Sequence, residues 1–181
     1  MFETDLAIIK RLAEHKEEEN WEFRTHLKGC DIEPREIDAI VHRLYAYVSS
    51  KIDCGKCANC CRELSAALGR KDIARLARAE GVTPEEFEKK YLKRADEPGR
   101  FLVSQKPCPF LSGTACRHYN ARPESCVEFP FLHKPDFTTR TIMVLWNLPL
   151  CPIIYNVYEL LKQEVAELEL IRRAAEEEDI E

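Results

Sequence analysis

Four cysteines lie within eight residues of the chain, in the stretch CGKCANCC at residues 54–61. Cys54, Cys57 and Cys60 follow the spacing CxxCxxC, and Cys61 comes directly after them. Two intervening residues form a tight turn that can direct both flanking sulfurs at one ion, and the amides of that turn can donate to the sulfurs. The stretch therefore predicts a metal-thiolate site.

The CxxCxxC run resembles the segment that holds three corners of a four-iron cluster in bacterial ferredoxins, where a distant cysteine, usually followed by proline, is the fourth ligand. Because adjacent side chains diverge on a non-helical backbone, we expect Cys60 or Cys61 to face a second group of sulfurs. Four downstream cysteines can supply both the fourth ligand and the second group of sulfurs, and the first and last of them are followed by proline: Cys108, Cys116, Cys126 and Cys151. Eight sulfurs suit two four-sulfur zinc sites, or one iron-sulfur cluster beside a smaller site.

Nine cysteines in 181 residues could also indicate disulfides. The N-terminus carries Glu3 and Asp5 and lacks the apolar stretch of a secretory signal, so we expect a cytoplasmic protein. Cytosolic thiols are kept reduced, and an odd count leaves at least one thiol unpaired. Metal binding is therefore favoured over disulfides, and Cys30, which stands apart in HLKGCD, is interpreted as a plain thiol.

Composition and motifs exclude several classes of partner. The formal net charge of -5 gives no global basic field for nucleic acid or an anionic membrane. Residues 141–158 carry no charge and approach the length of a spanning helix, but Pro149 and Pro152 interrupt them. We predict a buried strand that runs into a helix there, and no membrane span. The sequence contains no GxG pair, HExxH or GxSxG, so nucleotide-binding and hydrolase motifs are missing.

Helices are predicted on both sides of the cysteines from apolar residues at helical spacing. They run through residues 6–12, through 37–48 towards Cys54, through 71–80 before Gly81, from Pro84 to about Lys93, and from about Ile153 into the acidic tail at 174–181, which we expect to fray. Thr83 and Glu86 form a predicted capping box.

The middle of the chain has a different character. Residues 96–119 are rich in Pro and Gly, which predicts extended segments and turns. We therefore predict a single, mainly α domain with a small irregular, β-containing, cysteine-rich middle built around a metal-thiolate centre. Its parts would be N-terminal helices at 1–50, a cysteine-cluster module at 51–152 and a C-terminal helix with an acidic tail at 153–181.

Cations should gather near such a centre, because four thiolates around zinc(II) or an oxidised four-iron cluster leave a net charge of about -2. Nearby cations also favour the thiolate form. Six lysines and arginines lie within a few residues of a cysteine: Lys51, Lys56, Arg62, Lys106, Arg117 and Arg122.

The stretches CGKCANCC, CPFL and CRHYNARPESCVEFPF together resemble the YkgJ-type cysteine-cluster proteins, a zinc- or iron-chelating family with the pattern CxxCxxCC, then CxFL, then CxIYxxRPxxCxxFP. Tyr119, Arg122, Pro123 and Pro130 match that pattern, whereas His118 replaces an isoleucine, which leaves open whether an imidazole joins the metal. The resemblance implies metal binding by eight cysteines: Cys54, Cys57, Cys60, Cys61, Cys108, Cys116, Cys126 and Cys151.

The family resemblance indicates metal binding more strongly than the biological role of the bound metal. Flagellin lysine N-methylases have similar cysteine clusters and are associated with a four-iron cluster and S-adenosylmethionine, which adds weight to iron-sulfur over zinc. The main hypothesis is a metal-binding protein holding an iron-sulfur cluster, of the 4Fe-4S type, or zinc, with a redox or cluster-related role. The alternatives are a structural zinc module that binds a partner protein, and a cluster-assisted protein lysine N-methyltransferase.

Overall fold

The computed structural model describes residues 2–178 of the chain. Helix accounts for 64% and strand for 7%, which confirms the predicted mainly α fold with short strands in the middle. The helices are α1 (Leu6–His15), α2 (Glu17–Gly29), α3 (Pro34–Ser49), α4 (Cys54–Cys57), α5 (Asn59–Glu63), α6 (Arg70–Glu80), α7 (Pro84–Tyr91), α8 (Glu124–Glu128), α9 (Phe137–Asn147) and α10 (Pro152–Glu178). The strands are β1 (Ala67–Leu68), β2 (Leu92–Arg94), β3 (Phe101–Val103), β4 (Leu111–Ser112) and β5 (Ala115–Cys116).

The chain forms two compact units. The helical unit contains the residues up to Ile52 together with those from Pro130 onward, and the cysteine unit spans Asp53–Phe129. The predicted organisation as one domain with a module at 51–152 stays a prediction.

In the helical unit, α3 and α10 pack against each other, and α1 packs against α10. The buried face of α3 carries Ile37, Val41, Leu44 and Val48, which recur at the spacing of one helix face. On α10 the Tyr158 ring is buried and its hydroxyl donates to a backbone carbonyl of α2 at 3.0 Å. The predicted N-terminal, middle and C-terminal helices of this unit are confirmed.

The predicted buried strand within residues 141–158 is wrong. Those residues form the last part of α9, a short break, and the start of α10, which has Pro152 in its first position. An apolar run without alternation does not distinguish a buried strand from a buried helix, whereas Phe137, Thr141 and Val144 of α9 are buried at helical spacing. Within residues 2–178 no helix is both long and apolar enough to cross a membrane.

The acidic tail is helical as far as the structure describes it, because α10 continues to Glu178. The predicted fraying of the tail concerns residues 174–181, of which 179–181 lie outside the described residues.

The cysteine unit has a hydrophobic core of its own. Its buried residues come from α6, α7, the strands β1 and β3, and the turn before β4: Leu68, Ile73, Leu76, Ala77, Phe87, Tyr91, Phe101, Val103 and Phe110. The three strands are antiparallel in the order β1-β3-β2, with Leu92 opposite Val103. The extended segments predicted for this part of the chain are thereby confirmed.

The connection between α6 and α7 follows its local sequence. Gly81 ends α6 with φ +72, a conformation that favours glycine. The Thr83 hydroxyl accepts from the Glu86 amide at 3.2 Å while the Glu86 carboxylate accepts from the Thr83 amide at 2.9 Å. This confirms the predicted capping box. Helix α7 ends at Tyr91, two residues before the predicted end near Lys93, because β2 pairs with β3 from Leu92 onward.

Candidate metal centre

Two short helical turns present the first four cysteines. The Asp53 carboxylate caps α4 by accepting from the Gly55 amide at 2.9 Å. Ala58 joins α4 to α5 with φ +51, a left-handed conformation that costs a non-glycine residue about 1–2 kcal/mol. Its side chain is buried, so the surrounding structure holds it there. This single residue separates the end of α4 from the start of α5.

Cys60 and Cys61 both lie in α5, so the expectation of a non-helical backbone at this pair is wrong. Neighbouring side chains on a helix still point about 100° apart. The two thiols nevertheless interact, because the Cys60 thiol forms a hydrogen bond with the Cys61 sulfur.

One backbone hydrogen bond and two from an arginine side chain connect these turns to the hairpin formed by β4 and β5 and to the segment just before it. The Cys108 amide donates to the Cys61 carbonyl at 2.8 Å. The Arg62 guanidinium donates to the Cys57 carbonyl at 2.8 Å and to the Gly113 carbonyl at 3.3 Å. Because Gly113 is the hairpin turn, with φ +62, one arginine links the first cysteine turn to the hairpin.

The hairpin positions two further cysteines. Cys116 pairs with Leu111 across β4 and β5. Cys108 precedes β4, and its carbonyl accepts from the Leu111 amide at 3.0 Å. The amides of Phe110 and Leu111 also act to lower the pKa of the Cys108 thiol, against the larger effect of burial. Amides directed at sulfur are the surroundings expected of a metal-bound thiolate, because they stabilise negative charge on the sulfur. Phe110 is buried in the core of the unit and fixes this turn in place.

Cys126 lies in α8, and a buried carboxylate holds the start of that helix. Asp72 of α6 accepts from the Gly69 amide at 3.0 Å and from the Glu124 amide at 3.2 Å. It also pairs with Arg75 at 2.6 Å, and the Arg75 side chain donates to the Arg122 carbonyl at 2.6 Å. Sequence reasoning missed this brace, because an acid three residues after a glycine signals only a helix start.

Three thiols from two other parts of the unit lie within electrostatic range of Cys126, and together with it we call them the four-sulfur group: Cys61, Cys108, Cys116 and Cys126. Burial raises the pKa of Cys126 to about 12, and the sulfurs of Cys61, Cys108 and Cys116 add to the effect. Burial likewise raises the pKa of Cys108, with contributions from Cys61 and Cys116. Repulsion between thiolates acts at longer range than direct contact, so the fold places these sulfurs within electrostatic range of one another. Among the residues that the structure describes, no three of these sulfur atoms lie within 4.8 Å of one another.

Cys61 is the exception in this group, because its pKa is lowered to about 6. The largest cause is the hydrogen bond from the Cys60 thiol, and the positive charges of Arg62 and Arg122 add to it against the effect of burial. Two of the six predicted cations thus favour a thiolate here. Cys61 is the group member best prepared to bind a cation without first losing a proton.

Cys54 and Cys57 form a second pair of interacting thiols. The pKa of Cys54 is raised by burial, then by Cys57 and Asp53, while Arg122 opposes the rise. The Arg122 guanidinium stacks on the Tyr119 ring, with its carbon 3.5 Å from the ring centroid, and donates to the Tyr119 carbonyl at 2.9 Å. Arg122 therefore sits where its charge reaches both Cys54 and Cys61.

His118 is engaged by a carboxylate. Its Nε2 atom hydrogen-bonds to Glu80, and its ring packs edge-on against Phe110. Glu80 also accepts from the Tyr91 hydroxyl at 2.7 Å, and the Tyr91 and His118 hydrogen bonds lower the pKa of Glu80. The ring is thereby fixed between α6 and the hairpin. Sequence reasoning singled out His118 but not Glu80, for which no local signal exists.

The remaining cysteines lie in the helical unit. Cys151 is buried just before α10, and Cys30 follows α2. Of the eight predicted ligands, the cysteine unit therefore contains seven: Cys54, Cys57, Cys60, Cys61, Cys108, Cys116 and Cys126. The part of Cys151 stays a prediction.

Soft thiolate donors are the ligands that zinc and iron-sulfur clusters use, whereas magnesium and calcium bind oxygen. The donors, the amides directed at Cys108 and the arginines beside Cys61 all fit a cationic group bound through sulfur. The residues present therefore fit either zinc or an iron-sulfur cluster.

A comparison with protein families agrees with this chemistry. The model of the family CxxCxxCC, described as a putative zinc- or iron-chelating domain, matches residues 53–152, more than half of the chain. The matched range includes all eight predicted cysteine ligands and leaves out Cys30. No curated protein and no solved structure matches the chain. The predicted zinc- or iron-chelating resemblance is confirmed, and the finer link to YkgJ and to flagellin N-methylases stays a prediction.

Proposed function

The chain belongs to the CxxCxxCC family of zinc- or iron-chelating domains, and we propose that the cysteine unit holds an iron-sulfur cluster of the 4Fe-4S type. In this proposal the four-sulfur group provides one complete set of ligands. Cys54, Cys57 and Cys60 form a second, smaller group within the same unit.

One observation supports the assignment most directly, the convergence of the four-sulfur group. Cys61 and Cys126 are 65 positions apart, yet the sulfurs of Cys61, Cys108 and Cys116 all raise the pKa of Cys126. A hydrophobic core does not need four thiols in one region, because a free cysteine packs only as a small apolar residue. Binding of one metal-containing group by all four thiolates would explain why they occur in the same unit.

Iron is proposed ahead of zinc because flagellin lysine N-methylases, whose cysteine clusters this chain resembles, are associated with a four-iron cluster. The CxxCxxC run of Cys54, Cys57 and Cys60, in the same unit as the four-sulfur group, also resembles the ferredoxin segment. A four-iron cluster would supply one-electron redox chemistry at a potential set by hydrogen bonds to its sulfurs. The amides directed at Cys108 are groups of that kind in this chain. Zinc would supply no redox chemistry and would only stabilise the fold.

The proposed setting is the cytoplasm, because the centre needs reduced thiols and oxidising compartments convert such cysteines to disulfides. The partner we propose is the metal group itself, together with a protein that exchanges electrons or receives the cluster. The negative overall charge does not favour nucleic acid.

The test is elemental analysis of the full chain purified without oxygen, combined with its visible absorption spectrum. We expect about four iron and four sulfide per chain for each complete cluster, with a brown colour. Cys126→Ser should lose much of the iron, whereas Cys30→Ser should keep it, because Cys30 lies outside the matched range. A colourless wild-type protein that contains zinc and no iron would refute the iron-sulfur proposal.

That zinc outcome is the result expected of the second candidate, a structural zinc module. The short, irregular elements around the cysteines favour it, because such segments need a covalent or metal crosslink in place of a large core. Zinc content should then fall on Cys126→Ser together with thermal stability, and the protein should show no redox wave in voltammetry.

A further inference from the structure

Three residues of the helical unit, outside the cysteine centre, carry donor atoms close enough to share one ion. They are His26 and Cys30 at the end of α2 and Glu169 on α10, and their ligand atoms all lie within 4.8 Å of one another. The His26 Nε2 atom and a Glu169 carboxylate oxygen are 2.7 Å apart. Cys30 was interpreted from the sequence as a plain thiol because it stands apart from the other cysteines, and nothing near it in the sequence points to the distant Glu169.

The local structure of α2 aligns its two donors. Residues four apart lie on one face of a helix, and the Cys30 amide donates to the His26 carbonyl at 2.9 Å, which continues the helical pattern to Cys30. Leu27, between them, is buried and holds the end of α2 against the unit. The His26 ring also stacks beside Phe23, with ring centroids 6.4 Å apart. The helix thus positions His26, and the hydrogen bond at the end of the helix positions the Cys30 backbone directly after it.

Glu169 is brought to these donors by a brace one turn further along α10. The Arg172 guanidinium donates to the Asp31 carbonyl at 2.9 Å and pairs with the Glu36 carboxylate at 2.6 Å. Asp31 directly follows Cys30, so this arginine holds the cysteine segment against α10. Because Arg172 is already paired with Glu36, its charge is partly neutralised beside the three donors.

We propose that His26, Cys30 and Glu169 form a zinc site, separate from the cysteine centre. Zinc accepts imidazole, thiolate and carboxylate at about 2.0–2.3 Å, so donors around one ion lie about 3–4 Å apart. The observed separations need only small side-chain rotations to reach that range. A thiolate with an imidazole selects zinc over magnesium and calcium, which bind oxygen.

Three protein ligands leave the fourth zinc position open to water or to another ligand. The His26 side chain is 44% exposed and that of Glu169 21%, so solvent reaches the site directly. An exposed site with three ligands exchanges its ion more readily than a closed site with four. The proposed role is reversible zinc binding at the surface of the helical unit.

The experiment measures how fast iodoacetamide modifies Cys30 in the full chain, with and without added Zn²⁺. Trypsin releases Cys30 alone in the peptide at residues 29–35, GCDIEPR, so the signal is separate from that of the other eight cysteines. A metal-bound thiolate is a weak nucleophile. We therefore expect Zn²⁺ to slow the modification at least about tenfold, and Mg²⁺ to have no effect.

Matched variants separate the site from a surface ion pair. His26→Gln and Glu169→Gln should each abolish the protection by Zn²⁺, whereas His15→Gln and Glu167→Gln, which change exposed residues elsewhere on α1 and α10, should preserve it. Circular dichroism checks that all four variants keep their helix content. Wild-type Cys30 that reacts equally fast with Zn²⁺, or protection that persists in both site variants, would overturn the proposal. Neither result depends on which metal the cysteine unit holds.

Discussion

Replacing Asp72 with alanine should weaken both the fold of the cysteine unit and its hold on metal, although Asp72 is not a ligand. The Asp72 side chain is 7% exposed and accepts from the Gly69 and Glu124 amides. These bonds join the start of α6 to the start of α8, which carries Cys126. Alanine removes the acceptor and leaves both amides without this partner.

The magnitude follows from the number and kind of bonds lost. A hydrogen bond to a charged group is worth about 1.5–3 kcal/mol, and the two amides are partly buried, so we take the lower part of that range for each. Asp72→Ala should therefore lower the free energy of unfolding by about 2–4 kcal/mol. The ion pair with Arg75, whose side chain is 42% exposed, adds little. For a chain of this size the loss corresponds to a drop in Tm of about 4–16 °C.

The assay is thermal and urea unfolding of the metal-bound protein, together with competition for the metal against a chelator. Loss of a supporting partner typically weakens metal binding about 10–100-fold, and we expect the chelator to extract metal from Asp72→Ala correspondingly earlier. The control is Asp96→Ala, which removes the same charge from an exposed position. A destabilisation by Asp72→Ala no larger than that of the control, with unchanged metal retention, would refute the role assigned to this carboxylate.

Three further predictions concern the thiols and a neighbouring acid. Cys57→Ser should lower bound metal and Tm together, because structural zinc contributes about 10–16 kcal/mol of apparent binding energy; unchanged metal by elemental analysis would contradict the assignment. In metal-free protein at pH 7, Cys61 should react with iodoacetamide before Cys126. A pKa of about 6 leaves about nine-tenths of the Cys61 thiol ionised, whereas Cys126, with a pKa of about 12, is protonated. Mass spectrometry gives the order of modification, and the reverse order would contradict the prediction. The pKa of Glu80 is lowered from 4.5, chiefly by the Tyr91 hydroxyl, so its stabilising effect is present above that value and is lost as pH falls through the lower folded value. The free energy of unfolding, measured with urea, should therefore fall less on acidification in Glu80→Gln than in the wild type. An equal dependence of this free energy on pH in the two proteins would argue against the effect.

Predictions from the sequence succeeded where neighbouring residues decide the structure. The capping box of Thr83 and Glu86 and the helix end at Gly81 depend on contacts within a few positions, so the sequence contains all their determinants. The end of α7 was predicted two residues late, because pairing of β2 with the distant β3 ends it. A strand partner elsewhere in the chain leaves no local signal.

The uncharged segment at 141–158 shows the same limit. Its apolar residues could line a strand or a helix, and the packing of Phe137 and Val144 inside the helical unit decided for the helix. The premise about Cys60 and Cys61 failed for a related reason. Short turns such as α5 are held by hydrogen bonds to other parts of the fold, here from the Cys108 amide to the Cys61 carbonyl.

The sequence by itself determined the family, the mainly helical class and the thiolate chemistry, because cysteine spacing and apolar periodicity depend only on residues close together in the chain. Only the tertiary structure decided which cysteines act on the pKa of Cys126, that Asp72 braces α8, and that Cys30 lies beside Glu169. Each of these contacts joins residues dozens of positions apart. Such contacts arise from the packing of whole elements, and no short stretch of sequence specifies them.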